Sequence, residues 1–243
     1  MPSKVRLDVL LVEKGLSPSR EKAQRAIMAG LVSIDGQRAS KAGQTVKDDA
    51  LIEIQGGDKY VGRGGLKLEG ALEHFQIDPT GRVCLDLGAS TGGFTDCLLQ
   101  RGAAKVYAFD VGHGQLDWKL RNDPRVVVRE GVNARNLQPS DLEDVASICV
   151  ADVSFISLTL ILPAAFALLD PAADMVLLIK PQFELVPSKV GKGGVVRDPA
   201  FHQEAVDKIH HFVESAGHRW MGCIPSPITG REGNIEFLAH IKP

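Results

Sequence analysis

Four ionisable residues stand where a buried site would place its chemistry. Asp152 ends the apolar run SICVAD, Lys180 ends DMVLLIK, Glu236 lies inside GNIEFLAH, and Lys67 sits in GRGGLKLEGAL, just ahead of the strand-like RVCLDLG. A charge at the carboxyl end of a buried parallel strand adds little to a core. It is, however, where open α/β sheets carry ligand chemistry. Two amines and two carboxyls suit removal of a proton from a weakly acidic group. A buried lysine becomes a general base when desolvation and a neighbouring cation depress its pKa. On this reading Lys180 is the base, Lys67 the neighbouring cation, and Asp152 and Glu236 orient the amines and balance charge. Each residue alone has a bland alternative, such as a solvated helix lysine, a helix cap, a snorkelling strand-end lysine or an outward-facing glutamate. Their occurrence together beside a glycine turn sets them apart.

That turn is Asp86-Leu87-Gly88-Ala89-Ser90-Thr91-Gly92-Gly93, which follows a strand-like run and opens a helix-like one. It is not the dinucleotide fingerprint GxGxxG, because Ser90 occupies the place of the second glycine. It does fit GxSxG literally, the nucleophile elbow of a hydrolase. Such an enzyme also needs an acid and then a histidine after later strands, whereas His202, His210, His211 and His218 belong to or adjoin one long helical pattern. The third reading is a site for a small cationic amino-acid cofactor, S-adenosylmethionine. Backbone would approach the ligand closely, Asp86 would stand beside the turn, and Asp110, ending VYAFDVG, would meet ribose hydroxyls. A dinucleotide site also uses a second-strand acid, so Asp110 alone decides nothing.

The elements that must carry these residues fall into two unequal pieces, expected at 1–55 and 65–243 and joined by a glycine-rich linker at 56–64. In the first, Val9, Leu10, Val12 and Leu16 give one short helix an apolar face. Ser17-Pro18-Ser19 starts a second helix that stops at Gly30. LVSIDGQ and ALIEIQGG read as strands. Arg20, Lys22 and Arg25 then form a basic rim, for which a solvated helix face is the bland account. In the second piece, apolar strands at RVCLDLG, AKVYAFDVG, RVVVRE, SICVADV and DMVLLIK alternate with helical patterns. WMGCIPSP and GNIEFLAHI close the chain as a hairpin. This alternation predicts a mostly parallel sheet covered on both faces, with an antiparallel last strand. The loop Pro187–Gly194 carries Lys189 and Lys192 and reads as a mobile basic lid; GxxxxGK[ST] is absent, which argues against a P-loop.

Composition bounds the rest. The 243 residues carry a net charge of −2, so a nucleic-acid surface must be local. No run of about 18 apolar residues and no signal-peptide pattern occurs, so the expectation is a cytoplasmic protein without a membrane span. Cys84, Cys97, Cys149 and Cys223 lie far apart, so buried thiols are expected, with neither metal nor disulfides.

Two resemblances join these observations. Arg6-Leu7-Asp8, Leu11, Ser19-Arg20, Ala23, Ile27, Gly30, Val32, Asp35-Gly36, Ile52 and Ile54 resemble the alpha-L RNA-binding motif. It implies a small α+β domain that grips structured RNA through phosphates and shape. The turn DLGASTGGFT resembles the first motif of RrmJ-type ribose methyltransferases. That likeness implies Gly88, Ser90, Gly92 and Gly93 at the methionine end and Asp110 on the ribose. Asn133 takes the adenine-contacting place, where relatives often have an acid. The order Lys67-Asp152-Lys180-Glu236 is that of the ribose 2′-O-methyltransferase tetrad, and the stretch after Asp152 lacks the Pro-Pro common in base N-methyltransferases.

The combination resembles the TlyA/hemolysin A family over residues 5–241. It implies a Rossmann-like α/β domain that uses S-adenosyl-L-methionine to methylate cytidine 2′-hydroxyls of ribosomal RNA within ribosomal subunits. Arg6, Arg20, Lys22, Arg25, Arg63, Lys189 and Lys192 are the expected RNA contacts. Rival readings are a non-catalytic RNA-binding or assembly factor and a cytolysin, the latter because members bear the hemolysin name.

Overall fold

The computed structural model describes residues 4–54 and 59–243, apart from the Arg231 side chain. The chain divides into two compact units, Met1–Lys59 and Tyr60–Pro243.

The first unit holds β1 (Lys4–Arg6), α1 (Leu7–Glu13), α2 (Arg20–Met28), β2 (Val32–Ile34), β3 (Gln37–Arg38), β4 (Thr45–Lys47) and β5 (Ile52–Ile54). Strands β1 and β4 pair antiparallel, and β3-β2-β5 form a second small sheet. Ser19 caps α2 by accepting the Lys22 N–H at 3.2 Å. Asp35 and Gly36 both take positive φ, which suits the two-residue turn between β2 and β3. The apolar face of α1 differs from the expected one. Leu7, Leu10 and Leu11 are buried with Ala23, Ile27 and Val32, while Val12 and Leu16 are exposed. The helix begins at Leu7, so its inward stripe is turned relative to the one read from Val9 and Val12.

The second unit holds α3 (Gly64–Phe75), β6 (Val83–Leu87), α4 (Gly93–Gln100), β7 (Lys105–Asp110), α5 (Trp118–Arg121), β8 (Val126–Glu130), β9 (Ala146–Ala151) and α6 (Leu162–Phe166). After these come β10 (Leu169–Ile179), α7 (Pro181–Glu184), α8 (Pro199–Ser215), β11 (Arg219–Pro225) and β12 (Phe237–Lys242). Its seven strands run in the order β11-β12-β10-β9-β6-β7-β8. Strands β10, β9, β6, β7 and β8 are mutually parallel, and β12 is antiparallel to both of its neighbours. The closing hairpin therefore does not simply extend the edge, because its second strand inserts between β11 and β10.

Strand alternation divides the core into two layers. Leu85, Leu87, Tyr107, Phe109, Cys149 and Leu177 face the layer that includes α8. Cys84, Val106, Ile148, Val150 and Leu178 face the layer formed with α3 and α4. The chain runs outward from β6 through β7 to β8, then returns to β9 on the other side of β6. This reversal leaves a crevice beyond the carboxyl ends of β6 and β9, the place where doubly wound sheets bind ligands.

Residues 56–58 of the expected linker, with Gly56 and Gly57, and Gln55 at the end of the expected first domain lie outside the described residues. The following residues are packed. Tyr60 is buried, the Val61 N–H donates to Asp96 Oδ2 at 2.8 Å, and the Gly65 N–H donates to Gly62 O at 3.1 Å. Tyr60–Arg63 thus pack with the second unit. The Pro187–Gly194 loop is likewise pinned: Asn234 donates to Gly194 O at 3.0 Å and accepts from the Val196 N–H at 3.1 Å.

Candidate functional site

Local chain chemistry places the strand-end charges. Pro181 opens α7 and holds the preceding Lys180 in an extended conformation, so β10 ends with its lysine at the crevice. Asp152 follows β9, and its N–H donates to Leu87 O at 2.9 Å, which ties it to the last residue of β6. Lys67 projects from the first turns of α3, and Glu236 immediately precedes β12.

The four form two ion pairs. Lys67 Nζ lies 2.5 Å from Glu236 Oε2, joining residues 169 apart in sequence. Lys180 Nζ lies 2.6 Å from Asp152 Oδ1 and donates to Ser154 Oγ at 2.8 Å. The Asp152 contact is close but receives no aligned hydrogen bond, so the carboxylate holds the amine electrostatically while Ser154 takes the directed N–H. Lys67, Lys180 and Glu236 are buried and Asp152 is half-buried. Lys67 is therefore anchored to a carboxylate of its own. All four line one cleft of about 630 Å³.

The glycine turn forms another wall of this cleft. Gly88 and Ala89 donate their N–H groups to Phe109 O at 2.9 and 3.0 Å, which locks the turn onto β7. Gly88 has φ +84, and a Cβ there would meet Asp152 O at 2.6 Å, so turn and tetrad touch through a glycine. Asp110 Oδ2 accepts from the Ser90 N–H and Oδ1 from the Gly112 N–H, both at 2.7 Å. Each carboxylate oxygen keeps a lone-pair site for a hydroxyl. Gly88, Ser90, Asp110 and Asn133 line the same cleft as the tetrad. Asn133 Oδ1 accepts from Arg135 N and Nε at 3.1 and 3.2 Å. Ser90 Oγ donates to Gln115 Oε1 at 3.3 Å and not to a histidine, which removes the hydrolase arrangement.

Three of the expected cofactor contacts stand elsewhere. Asp86 is fully buried and does not line the cleft; its Oδ2 accepts from Thr95 Oγ1 at 2.6 Å. Burial pushes its carboxyl up to about 7, against the Thr95 hydrogen bond, with Asp152 and Asp110 adding to the rise. The reason is strand alternation, which turns residue 86 toward α4. Gly92, at φ +97, also lies off the cleft, since a Cβ there would strike Leu120 and Leu116. Gly93 lines an adjoining cavity of about 390 Å³ with Arg63, Thr91 and Thr229. That cavity shares Lys67, Gly88, Ser90 and Asp152 with the main cleft.

Several cleft residues carried no assigned role in the sequence reading. Ser154, Gln182 and Phe183 were adjacent to named residues but had no charge to mark them. Gln182 Oε1 is buried without a hydrogen-bond partner among the described residues. Phe155 is 89% exposed at φ +64, so it is not a core residue, and it packs near Phe183 with ring centroids 5.1 Å apart.

The expected RNA contacts are unevenly available. Arg6 and Arg20 both donate to the buried Asp8 carboxylate, at 3.0 and 2.9 Å, which fixes two exposed guanidiniums side by side. Arg25 pairs with Glu21 and Lys189 with Glu204, each at 2.5 Å. Lys22 and Lys192 are exposed, and neither has an ion pair among the described residues. Arg63 donates to Thr229 O at 3.2 Å at the mouth of the smaller cavity. Among the described residues no helix is long and apolar enough to cross a membrane.

Comparison with known proteins agrees with this division. The model of FtsJ-like methyltransferases matches residues 60–242, and that of the S4 domain matches 5–52. The Bacillus subtilis "Putative rRNA methyltransferase YqxC" is 50% identical over 240 residues, 98% of this chain and 85% of that protein. The "16S/23S rRNA (cytidine-2'-O)-methyltransferase TlyA" of Mycobacterium tuberculosis is 47% identical over 244 residues, 100% of this chain and 91% of that one. A solved "Putative hemolysin from Streptococcus thermophilus" superposes with TM-score 0.75 at 46% identity, covering 100% of this chain and 89% of that one.

Proposed function

The chain belongs to the TlyA/hemolysin A family, an S4 domain followed by an FtsJ-like, S-adenosylmethionine-dependent methyltransferase, and we propose that it methylates cytidine 2′-hydroxyls of ribosomal RNA. One observation carries the proposal. The two Lys–carboxylate pairs line the same cleft as Gly88, Ser90 and Asp110, at the point where the sheet reverses its strand order.

The residues present fit the cofactor. Gly88 gives backbone access that a Cβ would fill, Asp110 offers free lone pairs for ribose hydroxyls, and Asn133 offers an amide near the third strand. When bound, S-adenosylmethionine supplies an electrophilic methyl on a positively charged sulfonium.

The tetrad's own part is proton handling. Lys180 enters the step as the neutral amine. It directs an N–H toward Ser154 Oγ, stands 2.6 Å from Asp152 Oδ1, and turns its lone pair to the cleft. In that state the two carboxylates and the Lys67 ammonium leave the tetrad at net −1, which complements a single positive charge in the cleft. The 2′-hydroxyl proton would pass to Lys180 Nζ as the oxygen takes the methyl, whose bond to sulfur breaks to leave a neutral thioether. The Asp152 carboxylate then stabilises the new ammonium, a differential effect of the kind that lowers barriers. Lys67 is held off this proton path by Glu236. In the first unit, Arg6 and Arg20 grip phosphates with the guanidinium edges left free by Asp8, and Lys22 adds charge.

Ribosomal RNA incubated with the purified chain and cofactor, then digested to nucleosides, should contain new 2′-O-methylcytidine by mass spectrometry. Methyl groups found only on bases, or none on either subunit's RNA, overturn the proposal.

A further inference from the structure

Two loops leave the sheet side by side. Residues 152–158 follow β9 and carry Asp152, Ser154 and Phe155; residues 180–185 follow β10 and carry Lys180 and Phe183. The contacts that set the position of Lys180, 2.6 Å to Asp152 and 2.8 Å to Ser154, both run between these loops. Yet among the described residues no backbone hydrogen bond joins the loops beyond the register of β9 with β10. Side chains must hold them.

Glu184 does so. It is buried at the end of α7, with Oε1 accepting the Leu158 N–H at 2.8 Å and Oε2 accepting Ser157 Oγ at 2.5 Å. Lys208, from α8, donates to Glu184 Oε2 at 2.9 Å, to Glu184 O at 2.7 Å and to Ser157 Oγ at 3.1 Å. Both carboxylate oxygens are thus engaged, and the lysine bridges the same two loops from a third element. The first loop also holds Phe155 at φ +64, a conformation that persists in a non-glycine residue only where its surroundings fix the chain.

We propose that Glu184 is a positioning residue for the methyl transfer: with Lys208 and Ser157 it clamps the Asp152–Phe155 loop against the Lys180–Phe183 loop and so sets the approach of Lys180 to Asp152 and Ser154. The proposal rests on the tetrad reading above, but the clamp touches neither the substrate nor the glycine turn.

The test uses the full chain carrying Glu184→Gln, Lys208→Met or Lys208→Arg. It measures kcat and KM on ribosomal RNA, calorimetric cofactor affinity, melting temperature and amide exchange over residues 152–158 and 180–185. Glu184→Gln and Lys208→Met should lower kcat by about tenfold or more, because displacements of about 1 Å in a reacting constellation are costly. Cofactor affinity should stay within about twofold, since lost positioning acts on turnover and not on ground-state binding. Exchange should quicken in both loops, and Lys208→Arg should restore most of kcat. If Glu184→Gln does not fold, Lys208→Met carries the test, its side chain being 39% exposed in the parent. Wild-type kcat in both disruptive variants overturns the clamp. So does a loss of kcat that follows cofactor affinity and melting temperature and is not restored by Lys208→Arg. A wild-type chain inert toward ribose sinks the transfer reading instead; the clamp is then judged on exchange alone, with unchanged loops refuting it.

Discussion

Replacing Lys180 by Met separates the chemistry of the site from its packing. The substitution keeps the length of the side chain and removes the charge that faces Asp152 Oδ1 at 2.6 Å. Breaking a buried ion pair by removing one partner costs about 3–5 kcal/mol. Here the Asp152 side chain remains 22% exposed, so water repays part of that and a loss of roughly 1–3 kcal/mol is expected. At roughly 2–4 °C per kcal/mol, the melting temperature should fall by about 2–12 °C. Turnover should fall much further, by about 10²–10⁴-fold, the range ascribed to a positioned general base. The double variant Lys180→Met/Asp152→Asn removes both charges and should recover most of the stability without recovering turnover. Calorimetric melting and transfer of radiolabelled methyl to ribosomal RNA measure the two quantities on the same samples. If Lys180→Met turns over within about threefold of wild type, or if the double variant regains activity along with stability, Lys180 is a structural residue and the proton path is wrong.

Three further outcomes follow from the same geometry. Asp86 has a folded-state value of about 7, above its ordinary 3.8, so the folded protein holds that proton more tightly than the unfolded chain does. This favours folding at low pH and fades as pH rises toward 7, so the melting-temperature advantage of Asp86→Asn over wild type should grow between about pH 4 and pH 7 and then level off. A flat difference across that range contradicts a buried, proton-bearing Asp86. Gly88→Ala adds a Cβ 2.6 Å from Asp152 O at φ +84, and calorimetry should show cofactor affinity lowered by about tenfold or more, given a cost of at least ~1.4 kcal/mol. Unchanged affinity would mean that the turn does not approach the ligand.

In the first unit, hydrogen bonds from Arg6, then Gln24 and Arg20, hold the Asp8 carboxyl well below the usual range against the effect of burial. A depressed value stabilises the fold above about pH 4 and loses that contribution as pH falls through the acid range. Asp8 is covered by its partners' side chains and does not lie deep, so Asp8→Asn should cost about 1–3 kcal/mol. It should also weaken RNA binding in filter assays while sparing cofactor affinity. Intact RNA affinity would show that the ordered Arg6–Arg20 pair is not a phosphate grip.

Much of the second unit was legible because continuous apolar runs bounded by charges mark buried parallel strands. VCLDL, KVYAFD and ASICVA all became neighbouring strands, with Asp110 and Asp152 at or just past their ends. The fate of Asp86 was also present in that pattern: with Leu85 and Leu87 on one face, residue 86 must face the other, away from the crevice mouth. The pairing of Lys67 with Glu236 was not legible, since it depends on β12 inserting beside β10 and no local signal fixes the order of strands in a sheet. Strands β1 and β4 escaped notice because three-residue segments such as Lys4–Arg6 and Thr45–Lys47 carry no apolar periodicity. The Glu184 cluster was hidden for a third reason: its members come from two loops and a helix and resemble ordinary surface residues until folded together.

The measurement that bears most directly on the tetrad is methyl transfer to a substrate RNA whose target nucleotide carries a 2′-deoxyribose. The wild-type chain should label the ribose form, the single missing oxygen should abolish labelling, and RNA binding should be nearly unchanged. Persistent labelling of the deoxy substrate would place the methyl on another atom and leave Lys180, Asp152, Lys67 and Glu236 without the role assigned to them.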